Sequence, residues 1–120
     1  MAVDSQFQDY IAEMLEPMGG VSVRRMFGGV GLFRQGLMFG LIFGDTLYLK
    51  TDAGNRPDFE AAGCSRFTYQ SRNRERDLGY YTLPAEALDD AQEMLDWADS
   101  AFQAACRADA ARPPSKQKRI

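Results

Sequence analysis

Residues 23–33 read VRRMFGGVGLF. Two arginines run into an apolar pair, Gly28-Gly29 follows, and Gly31 comes two residues later. As a phosphate cradle, this stretch would belong to a nucleotide-binding α/β protein. As two strands and a bend, it belongs to an antiparallel one. A P-loop requires G-x-x-x-x-G-K-[ST], and a dinucleotide fingerprint requires G-x-G-x-x-G between a strand and a helix. FGGVGLF has neither spacing. After Gly31 come Leu32, Phe33 and a turn at Gln35-Gly36, so no helix N-terminus is in place to receive a phosphate. The glycines are therefore expected to make a tight bend or bulge between strands.

The surrounding sequence has the same texture. VSVRRMF, GVGLFR, LMFGLIF and TLYLKT are short β-rich runs separated by Gly-Gly, Gln-Gly and Gly-Asp. Glycine supplies the positive φ that primed hairpin turns demand, so Val21 to Thr51 reads as an antiparallel meander. Upstream, Phe7, Tyr10, Ile11, Met14 and Leu15 recur at helical spacing, with Asp4 or Ser5 as cap and Pro17 and Gly19-Gly20 as the stop. Downstream, NRPDFEAAG predicts a short helix with Asn55 as N-cap, Pro57 in the first turn and Gly63 at its end. RFTYQ and DLGYYTL predict a strand pair joined across the polar loop SRNRER. Pro84 to Ala110 predicts the last helix, with Leu88, Met94, Leu95, Trp97, Ala98, Ala101, Phe102 and Ala105 on its apolar face. Asp89-Asp90 marks a break or a fresh N-cap within it. The fold class is α+β: one two-layer domain with helices packed on an antiparallel sheet.

The chain has 120 residues, enough for one domain with a real core. That domain is expected over residues 1–110, followed by a disordered basic tail over 111–120. No apolar run approaches the roughly 20 residues of a membrane span, and MAVDSQFQDY lacks the layout of a signal peptide, so a cytoplasmic location is expected. Two cysteines, Cys64 and Cys106, are too few for a disulfide scaffold. There is no histidine, which rules out Ser-His-Asp and Cys-His nucleophile pairs and His-containing zinc sites. No enzyme, cofactor or metal is expected on these grounds. Four of the 14 basic residues (Arg112, Lys116, Lys118 and Arg119) fall in the tail, which leaves 10 against all 17 acids in the body. Such a body repels a phosphate backbone unless a local basic patch offsets it.

Several groups are candidates for contact. Arg24 and Arg25 are adjacent on a strand, so they point to opposite faces, which argues against a two-arginine clamp. With Phe27 and Phe33 they form a candidate protein-contact patch, since arginine and aromatic side chains dominate interface hot spots. Arg72, Arg74 and Arg76, interleaved with Glu75 and Asp77, are candidates for weak nucleic-acid contact together with the tail. A homodimer through a sheet face or strand edge, and a small-molecule binder or enzyme using a cleft near the glycine bend, are further readings. Lys50 is expected in a strand-end salt bridge, with Asp52 following it in sequence. The two cysteines are read as ordinary small residues.

RRMFGGVGLF, LMFGLIFGDTLYLKTD, RPDFEAAG, FTY, GYYTLP and AEALDDAQEMLDWADSAFQAA together resemble the N-terminal domain of the TfoX/Sxy competence regulators, over roughly residues 5 to 108. The resemblance implies a two-layer domain ordered α-β-β-β-α-β-β-α, one strand fewer than the residues themselves suggest. It also implies a bacterial, cytoplasmic protein linked to regulation of DNA-uptake genes and acting with the transcription machinery. It brings no catalytic set and no cofactor.

Overall fold

The computed structural model describes residues 5–26, 28–71 and 74–118, and of 69–71 and 74–78 the backbone only. Helix α1 (Ser5–Met14) leads through a 3-10 turn at Glu16–Met18 into β1 (Val21–Met26), β2 (Gly29–Arg34), β3 (Leu37–Phe43) and β4 (Thr46–Lys50). Helix α2 (Arg56–Ala61), β5 (Arg66–Ser71), β6 (Arg74–Thr82), a 3-10 turn at Ala85–Asp89 and α3 (Ala91–Ala110) complete the order. The strands form one antiparallel sheet, β1-β2-β3-β4-β6-β5. All four β-rich runs before α2 are strands, so β1 is the additional strand that the residues suggested. The fold is two-layered α+β, with the helices against one face of the sheet.

The turns follow from local chemistry. Gln35 and Gly36 both have positive φ (53° and 79°), the signature of a two-residue type I′ hairpin between Arg34 and Leu37. Gly44 opens the next hairpin at φ 66°. The stretch 23–33 is the β1–β2 hairpin, which closes between Met26 and Gly29 with Gly28 at φ 77°. Asp90 caps α3 by accepting from the Glu93 amide at 3.0 Å, so the Asp89-Asp90 pair is a fresh N-cap after a 3-10 turn.

Helix α3 crosses β3 and β4 and seals the main core. Phe39, Leu32, Leu47 and Leu49 of the sheet meet Met94, Ala98, Ala101 and Phe102 of α3, with Ile11 and Leu15 closing from the N-terminal side. Phe39 and Phe102 pack edge to face with centroids 6.2 Å apart, and Phe59 of α2 packs edge to face on Trp97 at 4.7 Å. The Tyr10 hydroxyl donates to the Leu88 carbonyl and ties α1 to the turn before α3. Opposite the helices, Leu41, Phe67 and Tyr80 form a second, smaller cluster with Met38, Phe43 and Tyr48 around it. The sheet is thus apolar on both faces.

Two local expectations change. SRNRER is mostly strand: β5 runs on to Ser71 and β6 begins at Arg74, pairing Arg74 with Ser71 and Arg76 with Tyr69. Those two arginines therefore lie on a strand, because the polar hairpin continues its backbone ladder well past the apolar residues. Arg72, Phe27, Asp4 and Arg119 lie outside the described residues. Asn55 stands at the N-cap of α2, but its side chain makes no cap bond and is buried instead.

At Gly29 a Cβ would stand 2.5 Å from the Ile42 carbonyl oxygen, a backbone atom that cannot swing aside. Gly29→Ala is expected to force β2 away from β3 and to cost about 1–3 kcal/mol, as overpacking generally does. A lowered urea midpoint with an unchanged denaturant slope checks it.

Candidate functional site

At the end of the sheet where β2 turns into β3 and β4 finishes, a cavity of about 410 Å³ opens. Arg24 and Arg25 of β1, Lys50 of β4, and Arg112 and Lys118 beyond α3 all line it, and among the described residues no acid does. Met26, Phe33, Leu37, Met38 and Tyr80 supply apolar and aromatic surface, and Ala105 and Ala108 bring in the end of α3. Five cations converge here in a protein whose net charge is −3.

Each cation is placed by its element. Arg24 pairs with Gly31 and Arg25 with Val30, so they alternate across β1 as expected. Both line the cavity, which opens beside the β1 edge of the sheet. Arg24 lies over the Phe33 ring, 5.0 Å from its centroid. Gly31 makes that floor: a Cβ there would come within 2.6 Å of Met26 Sδ and 2.8 Å of Phe33 Cε1. The third glycine of the opening stretch thus lets Met26 and Phe33 lie across the β2 backbone.

Lys50 pairs with Tyr80 across β4 and β6, and its ammonium stands 5.4 Å from the Tyr80 ring centroid. The Tyr80 hydroxyl faces the Met38 carbonyl at 3.4 Å, and burial pushes its pKa well above the ordinary phenol value. Burial lowers the Lys50 pKa, and the nearby Arg112 charge lowers it further, with Asp52 opposing. Among the described residues, the strand-end salt bridge expected for Lys50 does not form. Asp52 instead takes Arg107 in a bidentate pair at 2.7 and 2.9 Å.

Residues 111–118 complete the wall. Pro114–Lys116 is a 3-10 turn, and the Lys118 amide donates to the buried Asp109 at 2.8 Å. Arg112 also reaches Asp109, at 3.3 Å. Arg112 and the Lys118 backbone are thereby held at the cavity wall.

Of the candidate residues, the structure brings Arg24, Arg25 and Phe33 together. Lys50, Tyr80, Arg112 and Lys118 join them without having been picked out as a group. Their only signal in the sequence is the clustering of basic residues after Ala110, because strand pairing and the return of the C-terminal segment are long-range. Cys64 is half-buried, and burial raises its thiol pKa against an opposing hydrogen bond with Thr82. Among the described residues no cluster of three or more His, Cys, Asp or Glu side chains suits a metal, and no helix is long and apolar enough to cross a membrane. A second depression, between α2 and α3, is lined by Asp58, Asp96, Trp97 and Ser100 and has the opposite charge.

These features define a small two-layer α+β domain with a cationic cavity at one end of its sheet. The chain belongs to the TfoX N-terminal domain family, whose model matches residues 13–105. It is 28% identical over 99 residues to the DNA transformation protein TfoX1 of Aliivibrio fischeri, an alignment covering 77% of this chain and 47% of that protein. The chain thus spans about half the length of this curated relative.

The Asp52–Arg107 pair has a measurable pH signature. Hydrogen bonds from Arg107 lower the Asp52 pKa to about 2, against some cost of burial and with help from the Gly54 and Asn55 amides. A carboxylate held below its ordinary value of 3.8 stabilises the fold fully above that value and loses the effect as pH falls through about 2. Arg107 is half exposed, so the pair is worth on the order of 1 kcal/mol. Asp52→Asn is expected to lower the denaturant midpoint at pH 7, and its difference from the parent to fall by about half at pH 3.

Proposed function

We propose that this protein is a non-catalytic regulatory module that acts in the cytoplasm through contact with a protein partner, in the control of DNA-uptake genes. The observation that carries this reading is the family membership together with the transformation protein among its relatives. The exposed edge of the sheet supports it. β1 has a neighbour on one side only, and Ser22, Val23, Arg24 and Arg25 are all exposed. An edge strand offers unpaired backbone groups to an incoming strand, and its side chains then select the partner. Arg24 stacked on Phe33, with Arg25 beside it, gives that edge a cationic and aromatic character suited to an acidic protein surface.

Affinity capture from a lysate of a transformable bacterium, with the whole chain as bait, tests it. The expected result is a partner retained by the parent and lost from Arg25→Ala and Val23→Glu, with both variants folded by circular dichroism. A partner recovered equally well on the variants, or recovery of duplex DNA alone, would count against protein contact at this edge.

A further inference from the structure

The cavity carries an assignment that the partner reading does not need. Four observations bear on it. First, five cations line it and, among the described residues, no carboxylate does. Like charges gathered in one concave site repel, and the walls between them shield poorly, so the arrangement favours whatever anion enters. Second, Arg24, Arg25 and Lys50 make no ion pair among the described residues, and Asp52, the acid nearest Lys50 in sequence, is occupied by Arg107. Third, the floor is not polar: Met26, Phe33, Leu37, Met38 and the Tyr80 ring lie beneath the charges. A bare inorganic ion would gain nothing from that surface, whereas a planar or apolar group attached to the anion would. Fourth, about 410 Å³ lies within the range of small-molecule sites.

The cations also differ in kind. Arg24, Arg25 and Arg112 offer flat forks of donors, whereas Lys50 and Lys118 offer point charges on flexible stems. A phosphate, with oxygens directed on all sides, accepts from both kinds at once. A single planar carboxylate would satisfy one fork and leave the rest unpaired. The cations come from β1, from β4 and from the segment after α3, so a ligand with two phosphates could contact all three.

We propose that this cavity binds a small phosphate ester of about mononucleotide size, its phosphates held by Lys50, Arg112 and Lys118 and its planar group resting on the Phe33–Met38–Tyr80 floor. Arg24 and Arg25 close the charged rim on the β1 side. Binding would bridge the end of β4 to the segment after α3.

The probe is ADP, with inorganic pyrophosphate and citrate as comparisons, titrated against the full chain at low salt by thermal shift and by calorimetry. ADP is expected to raise Tm in a concentration-dependent way. Lys50→Gln and Lys118→Gln are each expected to weaken binding by about tenfold, the usual loss for one charge-assisted bond. The Lys118 variant guards against misfolding, because the tie to Asp109 uses its backbone amide and survives the substitution. Lys116→Gln, exposed and outside the cavity lining, is expected to bind as the parent does. No response to millimolar ADP would overturn the proposal, as would equal binding by Lys50→Gln and the parent. Citrate matching ADP would overturn the phosphate assignment, and pyrophosphate matching it would overturn the planar group. A response to duplex DNA with none to ADP would overturn it in favour of a nucleic-acid surface. Failure here leaves the partner reading intact, since that test reads Val23 and Arg25 at the sheet edge.

Discussion

Asp52 lies two residues from Lys50 in sequence and 55 from Arg107, and its carboxylate goes to the distant residue. That pairing sets how the loop after β4 meets the last helix. It pins the loop after β4 to the last turns of α3, and the buried Asn55 reinforces the same junction from within. The Asn55 side-chain Oδ1 accepts from the Asp52 amide at 2.7 Å, and its Nδ2 donates to the Lys50 carbonyl and to Ser100 on α3. An unpaired amide buried here would cost more than a cap bond on a six-residue helix returns, which explains why Asn55 turns inward. With the loop fixed to α3, Phe102 meets Phe39 and the helix lies across β3 and β4.

What could be read from the sequence follows the range of each interaction. The Gln35-Gly36 and Gly44-Asp45 turns, the Asp90 cap and the Gly63 stop (φ 77°) are fixed by neighbouring residues, and each is where the residue types place it. The additional strand β1 was visible for the same reason. The extension of β5 and β6 through SRNRER was not, because a polar stretch in a hairpin takes its strand character from its partner rather than from its own side chains. The role of Gly31 was invisible as well. That position matters for what crosses it, Met26 and Phe33, and only the folded chain shows those side chains lying there.

Of the candidate site, the arginines at 24 and 25 and Phe33 were legible, since arginine and aromatic side chains on a strand invite attention. Lys50 was misread because proximity in sequence suggested Asp52 as its partner. The error is physical and specific. A strand-end lysine and an acid two residues on point in directions set by the backbone between them, and here the chain turns after Lys50 so that Asp52 faces α3. Arg112 and Lys118 could be seen only as part of a charge run, whose position depends on a buried acid in the preceding helix.

That acid, Asp109, does for the C-terminal segment what Asp52 does for the loop after β4. Asp109 is in the last turn of α3 and Arg107 lies one residue before the one preceding it, so one end of one helix engages both acids. Each acid is used to hold backbone or a helix arginine in place, and neither lines the cavity between them. Among the described residues the cations brought to that end are therefore only partly neutralised: Arg112 shares Asp109 with the Lys118 amide, and Lys50 has no carboxylate of its own. An acidic protein thus presents a positive cavity without any unusual richness in basic residues. Asp52 and Asp109, the acids that adjoin its cations in the chain, are committed to holding the fold together.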